Sequence, residues 1–218
     1  MSYSDHKLKK IINISLDYLI YKPKSYDENK KWPLILSLHG SGERNKDIEA
    51  VKQYGIHKIL RENEDLPFLV LSPRCPKDES WEMQFKYLKE LLDIVQQDYS
   101  IDSERIYLTG YSMGGYGTWN FAITNPELFA AIAPICGGAI SPKKAVRYLK
   151  DTPIWVAHGD SDTVVDFEES KRIVDRLKEY NKKLIFKVYE NCDHEVCTKA
   201  YEDPELFNWL LKQRKRRG

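Results

Sequence analysis

Ser112 lies in Gly110-Tyr111-Ser112-Met113-Gly114, with an apolar run, Arg105 to Thr109, before it and a helical pattern from Met113 after it. That spacing suits a serine held on a sharp strand-to-helix turn, with glycines two residues to either side removing collisions. The helix N-terminus that follows turns unpaired N–H groups and a partial positive charge toward the serine. A serine hydroxyl is a weak nucleophile near neutral pH and needs a base, and a histidine base needs a carboxylate to hold its tautomer. Of His6, His39, His57, His158 and His194, only the last two follow Ser112. His158 ends an apolar run and precedes Gly159, which fits it to shape a loop. His194 stands in the polar loop Asn191 to Glu195 and is the expected base.

Asp160, Asp162 and Asp166 follow the same apolar run as His158. Asp162 falls where that loop has left its strand and can turn toward His194, so it is the expected acid. Asp160 is better placed to brace the loop. Asp193 adjoins His194, and neighbouring side chains in an extended loop diverge; its expected effect is to raise the histidine's pKa. Acyl chemistry at Ser112 also needs N–H donors for a developing oxyanion. Met113 N–H supplies one from the elbow. His39-Gly40-Ser41-Gly42 supplies the other, with Ser41 N–H as the expected donor.

These loops must be carried by a regular frame. Short apolar runs at Pro33 to Leu38, Phe68 to Ser72, Arg105 to Thr109, Phe129 to Ile135, Pro153 to Ala157 and Leu184 to Tyr189 read as strands. Ile12, Ile14, Leu16, Tyr18 and Ile20 alternate with polar residues and predict an N-terminal strand rather than a signal peptide. Helices are expected over Asp47 to Leu60 (weakened by Gly55), from Trp81 through Phe85, Leu88, Leu92 and Val95, over Met113 to Thr124 and over Pro142 to Leu149. Two more are expected around Phe167 to Leu177 and over Tyr201 to Leu211. Strands alternating with helices predict a mostly parallel sheet covered on both faces, with its chemistry beyond the strands' carboxyl ends. The loops at 39–43, 73–81, 110–114 and 158–166 all lie there.

Together these motifs make the chain similar to α/β-hydrolases of the phospholipase/carboxylesterase kind, near the dienelactone-hydrolase and polyhydroxybutyrate-depolymerase-like esterases. The residues carrying the resemblance are Leu38-His39-Gly40-Ser41-Gly42-Glu43, Ser72-Pro73-Arg74-Cys75-Pro76 with Trp81, Arg105 to Gly115, Pro134 to Gly138, His158-Gly159-Asp160-Ser161-Asp162, His194, and Tyr201 to Leu211. The resemblance implies Ser112 as nucleophile, Asp162 as acid and His194 as base, as the spacing does. It implies an α/β-hydrolase fold in one domain over residues 1–218, and Trp81 in the acyl or alcohol pocket. Trp81's own position equally makes it the first anchor of its helical stripe. Dienelactone hydrolases proper carry cysteine at the elbow, so Ser112 points to ester chemistry. Asp193 before His194, where the group often has glycine, departs from the pattern.

A chain of 218 residues, 42% hydrophobic and 31% charged with net charge +1, carries neither a nucleic-acid footprint nor a membrane-surface signature. The basic run Lys212 to Arg217 reads as a solvated tail. Four cysteines make no disulfide framework, and a cytoplasmic protein with reduced thiols is expected. Cys192, His194 and Cys197 are close in sequence, but Cys75 and Cys136 are distant, so no metal and no cofactor are expected. Glu43 is expected either to brace the Ser41 loop by pairing with an arginine or to be a surface carboxylate. The connection Gly137 to Thr152 is too short for a separate lid domain, which predicts an open site. The expected activity is hydrolysis of small esters by a serine carboxylesterase. Peptidase or thioesterase activity, or a non-catalytic binding protein of this fold, are the alternatives, and the oligomeric state is left open.

Overall fold

The computed structural model describes residues 15–215 apart from 45, 63 and 64. Among the described residues seven strands form one sheet: β1 (Tyr18–Tyr21), β2 (Trp32–Leu38), β3 (Leu69–Pro73), β4 (Ile101–Tyr111), β5 (Ala131–Ile135), β6 (Ile154–Gly159) and β7 (Leu184–Tyr189). Their spatial order is β1-β3-β2-β4-β5-β6-β7, with β1 antiparallel to β3 and every other pairing parallel. A parallel sheet is buried on both faces, which accounts for nearly continuous apolar strands such as Leu34-Ile35-Leu36.

Successive side chains point to opposite faces. Leu34, Leu36, Leu38, Leu108, Ile132 and Val156 pack on one side, where the helices are α2 (Trp81–Asp98), α3 (Met113–Thr124), α4 (Pro142–Leu149) and α5 (Glu168–Leu177). Ile35, Tyr107, Ala131, Ala133 and Ala157 pack on the other, against α1 (Ile56–Glu62), α6 (Val196–Glu202) and α7 (Pro204–Leu211). The stretch between β5 and β6 is α4, packed on α3 and α5, and forms no lid domain. Among the described residues no helix is long and apolar enough to cross a membrane.

Three expectations need correction. The single helix over Asp47 to Leu60 is split into a 3-10 turn, Ile48–Lys52, and α1. Gly55 divides them at φ 61°, and a Cβ there would lie 2.7 Å from the Tyr111 ring, so glycine is required both by dihedral and by space. The helix expected to begin at Tyr201 is two helices. Asp203 interrupts them, accepting the Glu205 N–H at 2.9 Å as the cap of α7, with Pro204 at the first helical position. The preceding helix α6 starts five residues earlier than the sequence pattern suggests, with Glu195 as the single residue between it and His194. The basic tail is also more ordered than expected as far as Lys215: Arg214 pairs with Asp102 and Glu104. Residues 216–218, like Ile12 and Ile14 of the expected N-terminal strand, lie outside the described residues.

From β2 the chain runs outward to β3, then crosses back through α2 to β4 on the opposite side of β2. The loops after β2 and β4 therefore diverge at a switch point, which is where sheets of this class open a crevice.

Candidate active site

β4 delivers Ser112 at the centre of that crevice. Leu38 pairs with Gly110 across β2 and β4, so the loop after β2 begins beside the elbow. Ser112 has φ 55° and ψ −122°, a conformation rare for a residue with a side chain, and its N–H donates to the Ile135 carbonyl at 3.1 Å. The tightness of the turn has a cause beyond the motif: a Cβ at Gly114 would lie 1.9 Å from the Leu38 carbonyl oxygen. Only glycine lets α3 sit this close to the neighbouring strand.

The structure brings Ser112, Asp162 and His194 together from three distant loops. The Ser112 hydroxyl lies 3.1 Å from His194 Nε2, and His194 Nδ1 lies 2.8 and 3.0 Å from the two Asp162 oxygens. In the neutral ring Nδ1–H donates to the carboxylate, which leaves the Nε2 lone pair facing the hydroxyl. Asp162 is buried, and its Oδ1 also accepts the Val164 and Val165 N–H groups, each at 2.9 Å. Asp160 is exposed and accepts from the Ser161 hydroxyl, while Asp166 accepts the Glu168 N–H at the start of α5; neither is among the groups bonded to His194.

His158 is fully buried one strand away. Its Nε2–H donates to the Val165 carbonyl at 2.9 Å, and Ser170 Oγ lies 2.8 Å from Nδ1. Burial holds its pKa below the ordinary value, so a neutral imidazole shapes the acid's loop as expected. Asp193 does more than expected. Its Oδ1 accepts Thr163 N–H, Thr163 hydroxyl and His194 N–H at 2.8, 3.0 and 2.8 Å, clasping the acid's loop to the base's loop. Those N–H donors hold its carboxyl below the usual range.

The His194 imidazole is pushed up to about 9 by the Cys197 sulfur beside it and then by Asp162, which together outweigh burial. The largest contributions to the rise thus come from Cys197 and Asp162, and the charge interaction with Asp193 expected from the sequence is present beside them. Cys197 in turn lies 3.2 Å from Cys136, the residue that follows β5. Cys136, His194 and Cys197 present donor atoms within 4.8 Å of one another. Cys192, near His194 in sequence, stands apart from this cluster: its thiol points to the Asp193 carbonyl, and the second cysteine of the cluster is Cys136. The cluster offers three donors where a structural zinc takes four, and both nitrogens of His194 are already engaged.

The loop after β2 forms a 3-10 turn, Ser41–Glu43. Ser41 and Met113 each begin a helical turn, the position whose N–H has no partner within its own turn. The loop is held from behind by buried groups. His39 Nε2 accepts the Cys75 N–H at 2.9 Å, and its Nδ1–H donates to the Gly40 carbonyl at 2.6 Å. Burial pushes His39 down to about 4, so it is neutral. Trp81 is fully buried, and its indole N–H donates to the His39 carbonyl at 3.0 Å. It therefore supports the loop and anchors α2, and does not line an open pocket.

Among the described residues Glu43 pairs with no arginine, and it is not at the surface. It is 3% exposed and accepts the Tyr111 hydroxyl at 2.7 Å. Tyr111 immediately precedes Ser112, so this bond ties the Ser41 loop to the elbow. Sequence reasoning missed the pair. The available signal was a carboxylate directly after His39-Gly40-Ser41-Gly42 together with a hydroxyl-bearing aromatic directly before the serine.

The sequence model of a family described as Phospholipase/Carboxylesterase matches residues 68–207. The chain is 31% identical over 159 residues to the bifunctional acetylxylan esterase/xylanase XynS20E of Neocallimastix patriciarum, a match covering 70% of this chain and 22% of that protein. It is 32% identical over 119 residues to acyl-protein thioesterase 1 of Mycosarcoma maydis, covering 50% of this chain and 49% of the relative. Among solved structures, that of a thermostable esterase superposes with a TM-score of 0.80 at 33% identity, covering 91% of this chain and 59% of the other. The chain thus spans less than two thirds of the length of each of these relatives.

Proposed function

The chain belongs to the phospholipase/carboxylesterase family, and from that membership we propose that it is a serine carboxylesterase of α/β-hydrolase fold acting on small or short-chain esters. The observation that carries this reading is the unbroken line Ser112 hydroxyl, His194 imidazole, Asp162 carboxylate. His194 Nε2 takes the Ser112 proton as Oγ attacks the ester carbonyl. Ser41 and Met113 N–H groups receive the oxyanion. The imidazolium, steadied by Asp162, gives its proton to the leaving alcohol, and an acyl group remains on Ser112. Water then enters, His194 removes its proton, and the acid is released with Ser112 restored. The similarity to an acetylxylan esterase supports small acyl groups, and that to an acyl-protein thioesterase supports thioesters as a second acyl donor. We read residues 1–218 as one domain, and the four free thiols fit a reducing compartment such as the cytoplasm.

The expected result is stoichiometric labelling of Ser112 by a fluorophosphonate and turnover of p-nitrophenyl acetate. Correctly folded protein that does neither would favour a binding protein built on this fold.

The position of His194 also predicts the pH profile. The base must be neutral, so kcat/KM for a short ester climbs with pH through about 9 rather than through 6.5. Cys197→Ser moves that limb downward by removing the first of the two raising groups. A wild-type limb at or below 6.5 would rule out Cys197 as a partner of the ring. The same rise makes the protonated pair a stabilising contact, fully present below pH 6.5 and lost as pH climbs through about 9.

A further inference from the structure

We propose that Cys136 and Cys197 are a modification site: a two-electron oxidant of the hydroperoxide class closes them into a reversible disulfide that switches off the adjoining triad. The consequence for activity rests on the esterase reading above; the thiol chemistry does not.

The two sulfurs are 3.2 Å apart although their residues come from different places, the loop just after β5 and the first turn of α6. Cys136 is held at φ 37°, in the left-handed region that a residue with a side chain rarely adopts, and its N–H is pinned to the Ala157 carbonyl at 2.8 Å. The frame thus fixes one thiol against the other. Cys136 is fully buried and Cys197 is 8% exposed, so Cys197 is the one a small oxidant meets first. The chemistry favours the same order. Burial keeps the proton on Cys136, which donates it toward Cys197. That contact, with His194 nearby, outweighs burial and holds the Cys197 thiol below its ordinary value. The other cysteines are occupied elsewhere: Cys192 against the Asp193 carbonyl, Cys75 against the Glu79 carbonyl.

The Cys197 thiolate attacks one peroxide oxygen, the O–O bond breaks, and the sulfenic acid and hydroxide result. The Cys136 sulfur then displaces the sulfenic hydroxyl, and its proton leaves with that group as water. Two thiols and one hydrogen peroxide give one disulfide and two waters.

Closing the bond brings the sulfurs to about 2.05 Å. Both partners are tied to triad members. Cys136 follows Ile135, whose carbonyl holds the Ser112 N–H, and the Cys197 N–H holds the His194 carbonyl at 3.1 Å. Drawing the two together displaces the base relative to the nucleophile, and a shift of about 1 Å at such a site costs on the order of 10²-fold in rate.

The test treats the reduced, full-length protein with hydrogen peroxide. The thiol titre under denaturing conditions falls from the four cysteines to two, and peptide mapping finds Cys136 joined to Cys197. Turnover of p-nitrophenyl acetate falls by about tenfold to 10²-fold and returns with dithiothreitol. Cys136→Ser and Cys197→Ser each form no internal bridge, whereas Cys192→Ser bridges as the wild type does. A titre that stays at four, a bridge through Cys75 or Cys192, or a Cys136–Cys197 bridge without loss of rate overturns the proposal. If the reduced protein hydrolyses no ester, the esterase reading fails, while titre and mapping still decide the modification site.

Discussion

Ser112→Ala is expected to lower kcat/KM for a short ester by about three to six orders of magnitude and to abolish fluorophosphonate labelling. Alanine keeps the Cβ, so the strained dihedrals of the elbow and the N–H bond to the Ile135 carbonyl are retained. What disappears is the oxygen that forms the acyl bond and its 3.1 Å contact with His194 Nε2. The oxyanion donors and the binding surface survive, which is why residual turnover above the uncatalysed rate is expected. Circular dichroism and thermal unfolding close to the wild type accompany the loss, separating lost chemistry from lost fold. Near-normal turnover in this variant would remove Ser112 as the nucleophile.

Asp162→Asn is expected to cost about 10⁴-fold in kcat, and the geometry says why an isosteric change does so much. Oδ1 accepts two backbone N–H groups, from Val164 and Val165, each at 2.9 Å. An asparagine keeps its carbonyl oxygen at that position, since an amide N–H₂ cannot accept from them. The N–H₂ then stands where Oδ2 was, 2.8 Å from His194 Nδ1, and donates to it. The ring is driven to carry its proton on Nε2, and no lone pair faces Ser112. Asp160→Asn and Asp166→Asn leave the rate within a few-fold, because neither carboxylate reaches the ring. Steady-state rates of the three variants, measured side by side, decide which acid serves the base. An equal loss in all three would undo the assignment.

The two variants probe parts of the molecule that differ in how visible they were before folding. The elbow, the apolar strands and the chain order of serine, acid and histidine could all be read locally. A buried strand requires a run of apolar residues, and a strand-to-helix reversal requires small neighbours, whatever lies across the sheet. The acid could be narrowed to one loop but separated from its neighbours only by an argument about reach, which the two backbone donors on Asp162 now make concrete.

What the tertiary structure alone decided are the partnerships. Glu43 with Tyr111, Trp81 behind the Ser41 loop, Asp193 clasping Thr163, and Cys136 rather than Cys192 against Cys197 join residues far apart in the chain. Helix α6 escaped notice for the same reason: its apolar side is defined by burial against β5 and β6, while its seven residues hold too few turns for a periodicity to show. Periodicity records which face of an element is buried, because each residue's own polarity carries that cost. It does not record what the face meets, since strand order and crossovers bring distant loops together at one end of the sheet.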